Sequence, residues 1–282
     1  MRFLTDLKKR LADPRATRRW LASCKPARDL PGPWFADSIA LASIVRWDGW
    51  HGFNQFHRLD CGTLPPPDLG LIAVSGSRER YSIDLRDIAG IGSSKGPIRQ
   101  LTDLRSLAMR LPSGALEFSR GNLARLLSHD QIRVSVEGDG RDGDSLYRFG
   151  WEPGYWIGNH GGSHHLAAAI VVAREIDAHV CISAPLYHHR LDPGGIRQLT
   201  EQWQSYLIPF EHLSDMADAF ETDRIAFAVT TAPDPFRSHF AVHLERHDPR
   251  SRTIGPLLAA GFCDLSQAAS AVLARQEDLE RR

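Results

Sequence analysis

The stretch Tyr155-Trp156-Ile157-Gly158-Asn159-His160-Gly161-Gly162-Ser163-His164-His165-Leu166-Ala167-Ala168-Ala169 decides how this chain is read. It reads as a strand that runs through two glycines and a polar cluster directly into a helix over Leu166 to Ile176. Consecutive glycines permit backbone angles closed to other residues and let a ligand approach the main chain. Ser163 is placed to cap the helix, whose first N–H groups lack intrahelical partners and carry partial positive charge. A phosphate or a carboxylate is the guest such a junction selects.

On the N-terminal side of this stretch, Leu101 to Leu111 has helical periodicity after Gly96-Pro97, and Asn122 to Ser128 is another short helical run. Ile132 to Val136 alternates like a strand. The turn Gly138-Asp139-Gly140-Arg141-Asp142-Gly143 follows, and Leu146 to Trp151 returns as a second strand before Tyr155 to Asn159. Downstream, Val180 to Ala184 reads as a short strand. Asp192-Pro193 opens an amphipathic helix through Ile196, Leu199, Trp203, Tyr206 and Leu207, with Asp as cap and Pro in the first turn. Ile225 to Thr230 and Phe240 to Leu244 read as strands, and Leu265 to Glu280 as a terminal helix. This alternation indicates an α+β or α/β class, of which α+β is the expectation.

The run Gly161-Gly162-Ser163-His164-His165 followed by Leu-Ala-Ala-Ala resembles the strand-to-helix signature of the ParB/sulfiredoxin superfamily. There a Gly-Gly-Cys-His-Arg or Asp-Gly-His-His-Arg type sequence opens a helix and holds nucleotide phosphates. The resemblance covers about a dozen residues, with a compatible pattern from Leu123 to Ile176. It implies a central mixed sheet with a phosphate-binding loop at a helix N-terminus, preceded by an N-terminal extension. Two positions depart from it. Ser163 stands where sulfiredoxin has its reactive Cys, which argues against that activity. His165 stands where most members carry Arg, so the bidentate fork for phosphate must come from elsewhere or be lost.

Two domains are expected, an extension or small module over residues 1–95 and the ParB/sulfiredoxin-like domain with its C-terminal elaboration over 96–282. Residues Arg2 to Ser23 (Phe3, Leu4, Leu7, Leu11, Trp20 and Leu21) read as one or two basic amphipathic helices broken at Asp13-Pro14. The turns Pro31-Gly32-Pro33 and Pro65-Pro66-Pro67 enclose an aromatic stretch with Trp34, Phe35, Trp47, Trp50, Phe53 and Phe56. Leu71 to Val74 and Tyr81 to Leu85 read as two strands around Ser75-Gly76-Ser77.

Lys plus Arg and Asp plus Glu balance at 34 each, so no global charge draws the 282-residue chain to nucleic acid or an anionic membrane. Arg far outnumbers Lys, which occurs only at positions 8, 9, 25 and 95 and points to a GC-rich gene. Cys24, Cys61, Cys181 and Cys263 are dispersed, with no C-x-x-C pair to hold zinc or run redox chemistry. No segment approaches the roughly 18 apolar residues of a membrane helix. Met1 to Leu11 lacks the apolar core of a signal peptide. A cytoplasmic location without membrane contact is the expectation.

His160, His164 and His165 sit together, and His188 and His189 follow further on. Their spacing lacks H-E-x-x-H or a two-His-one-carboxylate pattern, so no metal ligands are assigned. His164 and His165 are the candidate catalytic residues, since an imidazole at a helix start can donate to a phosphate oxygen or move a proton. Asn159, His160, Gly161, Gly162 and Ser163 are the candidate ligand contacts. Ser163 reads as a cap before it reads as a nucleophile, because no ordered base accompanies it and the G-x-S-x-G elbow is absent. Trp47 to Arg58, with Asp48, His51 and His57, has the makeup of a base-stacking surface, although burial on the main domain is the commoner fate of such aromatics.

These residues support a protein that binds a nucleotide or another phosphate-bearing small molecule and hydrolyses or transfers its phosphate, magnesium accompanying a nucleotide. The alternatives are a regulatory or protein-interaction module that kept the fold without catalysis, and a nucleic-acid-associated protein using the basic N-terminal helices and the aromatic stretch. Oligomeric state is not encoded in any motif.

Overall fold

The structure is a computed structural model describing residues 13–24, 34–36, 38–50, 62–112, 114 and 116–282. Phe3, Leu4, Leu7 and Leu11, the Pro31-Gly32-Pro33 turn, and His51, Phe53, Phe56, His57 and Arg58 lie outside the described residues. In chain order the elements are α1 (Arg15–Ser23), β1 (Ala73–Asp84), β2 (Ile88–Ile91), α2 (Leu104–Ala108), α3 (Arg120–Leu127), β3 (Ser135–Val136), β4 (Ser145–Phe149) and β5 (Tyr155–Gly158). They continue with α4 (Ser163–Glu175), β6 (Cys181–Leu191), α5 (Pro193–Gln202), β7 (Trp203–Pro209), α6 (Leu213–Thr222), β8 (Ala228–Thr231), β9 (His239–Glu245), α7 (Pro249–Gly261), β10 (Cys263–Asp264) and α8 (Leu265–Arg281). The chain is therefore mixed α+β, with eight α-helices among the described residues.

It divides into two compact units, each discontinuous in sequence. One takes the described residues of Met1–Trp34, Arg46–Ala73 and Leu191–Ala274. The other takes those of Phe35–Val45, Val74–Arg190 and Arg275–Arg282. The expected boundary at residues 95/96 falls inside the second unit, because β2 on one side of it pairs with β5 on the other.

The first unit is built on an antiparallel sheet ordered β10-β7-β9-β8. Strand β9 is buried from Phe240 through Leu244, as expected of a strand covered on both faces. Trp20 of α1 stacks on Phe262 at 5.7 Å and meets Phe220 edge-on at 6.0 Å. No side chain at its own N-terminus caps α1. The Asp223 carboxylate does so instead, accepting the N–H groups of Ala16 (3.2 Å) and Thr17 (2.7 Å). Asp192 caps α5 as its sequence predicts, accepting the Gly195 N–H at 2.6 Å with Pro193 in the first turn. The helix stops at Gln202. Trp203, Tyr206 and Leu207, expected on its apolar face, belong to β7, where pairing with β9 from Trp203↔Glu245 to Pro209↔His239 outweighs their helical spacing.

The second unit carries a mixed sheet ordered β1-β6-β4-β5-β2, with β3 also paired to β6. β4 runs parallel to β6, β5 antiparallel to β4, and β2 parallel to β5. Helix α4 is buried from Leu166 through Ala173, and its four alanines admit α2 and α3 at close range. Leu104, Leu107, Leu123 and Leu126 fill the layer between these helices and Ile157 and Leu146 of the sheet.

Three sequence expectations change here. Residues 73 to 84 form one strand and not two around Ser75-Gly76-Ser77. Gly76 is there for contact, since a Cβ would stand 2.4 Å from the His188 ring. The helix expected over Leu101 to Leu111 is confined to Leu104–Ala108, opened by Asp103, whose carboxylate accepts the Ser106 N–H at 2.7 Å. Only Ser135 and Val136 of the expected strand Ile132 to Val136 pair in the sheet. No described helix is long and apolar enough to cross a membrane.

Candidate functional site

Because β2 and β5 are parallel neighbours, both release their following loops at the same edge of the sheet. Asn159 ties the two loops together. Its carbonyl oxygen accepts the N–H groups of Gly92 and Ser93, both at 3.1 Å, and its amide donates to the carbonyls of Ser93 (3.1 Å) and Gly161 (2.9 Å). The Ser93 hydroxyl donates back to the Asn159 carbonyl at 2.6 Å. Asn159 is buried with all four of its hydrogen-bonding positions committed within the protein, so it shapes the site and offers nothing to a ligand.

Gly162 has φ +63° and ψ 14°, the left-handed region. A Cβ there would stand 3.1 Å from the carbonyl carbon of Gln131 and from a side-chain carbon of Ile132. Both the angle and the close approach demand glycine. Gly162 occupies the N-cap position of α4, and its carbonyl accepts the Leu166 N–H at 2.8 Å. Ser163 is thus the first helical residue and makes no capping bond, which corrects the expected cap by one position. The Gly162 N–H is taken by the Gln131 side-chain oxygen at 3.3 Å. Ser163, His164 and His165, whose N–H groups have no intrahelical acceptor, line an adjoining cleft.

That cleft has a volume of about 410 Å³. The β2 loop contributes Ser93, Ser94 and Lys95, and the segment before β3 contributes His129, Gln131 and Arg133. The remaining wall is residues 160–165, with Leu111 beside it. Two permanent cations, four imidazoles and three hydroxyls face it, and no carboxylate does among the described residues. His129 and His165 stack with centroids 3.8 Å apart. Burial, reinforced by His129, Arg125 and His164 and opposed by Asp130, holds the His165 imidazole below its ordinary range. Burial, then Arg110 and Lys95, does the same to His164. Both shifts favour the neutral imidazole.

His160 stands at the cleft with its side chain largely exposed. Its N–H donates to an Asp144 oxygen at 3.1 Å, and its Nδ1 lies 3.6 Å from the same atom. The other Asp144 oxygen accepts the Arg133 N–H at 3.0 Å. One fully buried carboxylate therefore fixes the backbone on two sides of the cleft. Among the described residues, no three of His, Cys, Asp and Glu are grouped to hold a metal ion.

The structure thus brings together His160, Gly161, Gly162, Ser163, His164 and His165 as the sequence proposes. It adds Lys95, His129, Gln131, Arg133 and Asp144, which sequence reasoning missed. Lys95 stands out in the sequence as the one lysine beyond residue 25, whereas Arg133 falls in the expected strand Ile132 to Val136 and His129, Gln131 and Asp144 lie in short connecting segments with no distinguishing pattern. His188 and His189 lie on β6, outside this cleft. In the aromatic stretch, Trp47 and Trp50 are wholly buried in the first unit, where the Trp50 indole N–H donates to the Thr231 carbonyl at 2.7 Å. Neither can stack on a base. Asp48 is held in an ion pair with Arg46.

Comparison with protein-family models matches residues 78–281 to a family of unknown function, DUF6685. The chain belongs to the DUF6685 family. The match takes in every residue of the cleft and Asp144 beneath it. No curated protein and no solved structure matches the chain.

Proposed function

We propose that this DUF6685 protein binds a phosphate-bearing small molecule, of which a nucleotide is the favoured class, in the cleft at the N-terminus of α4. The observation that carries the reading is the balance of charge there. Lys95, Arg133, several imidazoles and the open end of α4 meet at one cavity with no facing carboxylate among the described residues. The likeness to ParB/sulfiredoxin-like proteins rests on the strand, left-handed glycine and helix in sequence, and on a mixed sheet behind them. Lys95 and Arg133 offer the positive charge that His165 does not supply where that superfamily carries Arg.

If the ligand is turned over, hydrolysis or transfer of its phosphate is the class of reaction, with neutral His164 or His165 able to accept a proton near the reacting oxygen. Binding without turnover is the second reading, favoured by the lack of a carboxylate base among the described lining residues. A thermal-shift screen of nucleotides and inorganic phosphate, with and without magnesium, tests both, because a ligand of the folded state raises its apparent stability. A positive shift followed by assay of phosphate release separates the enzyme from the module. No shift with any phosphate compound contradicts the proposal.

A further inference from the structure

The second unit holds another concentration of hydrogen-bond donors, none of them used by the cleft at α4. A groove of about 290 Å³ is lined by Arg78 and Tyr81 of β1, Arg148 of β4 and Tyr155 of β5, with Leu186 and Leu279 as apolar wall. Arg148 is fixed in place by the fold itself. One terminal nitrogen donates to the carbonyls of Glu152 (2.7 Å) and Gly154 (2.6 Å), and the guanidinium lies 5.5 Å from the centre of the Tyr155 ring. Its Nε and second terminal nitrogen remain for another acceptor.

Arg78 lies 5.4 Å from the centre of the Tyr81 ring. Neither guanidinium forms an ion pair among the described residues, while Glu280 on the rim is engaged by Arg190 at 2.7 Å. The Tyr81 and Tyr155 hydroxyls are 3.4 Å apart, so one donates to the other and a single phenol proton is left over. Burial, then the neighbouring Tyr81 hydroxyl, pushes Tyr155 up to about 12, which keeps it a donor across the physiological range. Two guanidinium groups and a phenol therefore converge beside two leucines, and the one carboxylate of the lining among the described residues, Glu280, is already paired with Arg190. That is the complement of an oxyanion carried on an apolar body.

We propose that this groove binds a small aryl or alkyl oxyanion, a phosphate ester or a carboxylate, with Arg78 and Arg148 on the oxyanion and Leu186 and Leu279 against its body. The assignment is independent of the cleft at α4. Calorimetric titration of the full chain with phenyl phosphate and, separately, with benzoate tests it. At least one of the two binds in a site that R78Q, R148Q and Y81F each weaken by about tenfold or more, the usual scale for losing a hydrogen bond to a charged group. K95Q leaves that site unchanged. Binding of phenyl phosphate alone identifies the phosphate ester as the ligand class, and binding of benzoate alone the carboxylate; either supports the groove. R148Q also removes two bonds that hold residues 152–154, so R78Q and Y81F, which cut no backbone contact, keep the test readable if that variant unfolds. Failure of both ligands to bind overturns the proposal. So does binding that is lost in K95Q yet intact in R78Q and Y81F variants of native melting temperature.

Discussion

At Gly162 the angle of the chain and the nearness of Gln131 make the same demand, and the adjacent Gly161 shares neither to the same degree. A Cβ at Gly161 would meet only the Gln131 side chain, at 3.2 Å, without a positive φ. Gly162→Ala should therefore cost on the order of 1–3 kcal/mol, the usual range for a side chain forced into a left-handed position, and Gly161→Ala clearly less. Urea denaturation of the two variants measures the difference, and equal costs would contradict this reading of the loop. His164 and His165 give a second prediction. Burial and nearby cations lower both in the free protein, and an anion in the cleft would stabilise their charged forms. Binding should then take up protons. Affinity for sulfate, a tetrahedral oxyanion that does not itself take up a proton in this range, should rise as pH falls below the ordinary histidine value of about 6.5, and calorimetry in buffers of different ionisation heat reads the uptake directly. Affinity that falls over this window, without unfolding, would exclude both rings from the anion's surroundings.

Within the elements, the sheet of the first unit carries a buried imidazole that ties stability to pH. His243 of β9 is fully buried, with Nδ1 2.8 Å from the Ser205 hydroxyl and Nε2 2.8 Å from that of Thr230. Burial alone drives it down to about 3. A histidine lowered in the folded state binds its proton more readily when unfolded. Its contribution is complete above about pH 6.5 and is lost as pH falls toward 3. The loss is on the order of a few kcal/mol. Urea midpoints at pH 7 and pH 4 should differ more in the wild type than in His243→Gln, even though the variant is weaker at pH 7; parallel pH dependence in the two would remove His243 as the cause.

The same elements show what the sequence could reveal. Strand Tyr155–Gly158, helix α4 and the Asp192-Pro193 start were legible because glycines, apolar runs and caps act locally. Asp248-Pro249 opens α7 with the same pair, Asp248 accepting the N–H groups of Arg250 and Ser251. Pro256 inside that helix breaks the pattern by which it would be read. Trp203 to Leu207 failed for the opposite reason, since a spacing that fits a helix was captured by pairing with a distant strand.

For the whole molecule, neither division into units nor assembly of the cleft has a local signature. Each unit collects segments far apart in sequence, and β1 joins β6 across about a hundred intervening residues, so no shift in composition marks a boundary. Lys95 reaches His164 only because β2 and β5 are parallel, and Arg133 faces them only because Asp144 fixes its backbone. The loop was visible in sequence; the charge that gives it a ligand was not. If this charge binds phosphate, as proposed, calorimetric titration of inorganic pyrophosphate into the wild type, Lys95→Gln and Arg133→Gln reads it directly. Each substitution should weaken binding by about tenfold or more, as expected for removing one charge-assisted hydrogen bond, with melting temperature preserved. Pyrophosphate affinity equal in all three proteins would contradict it.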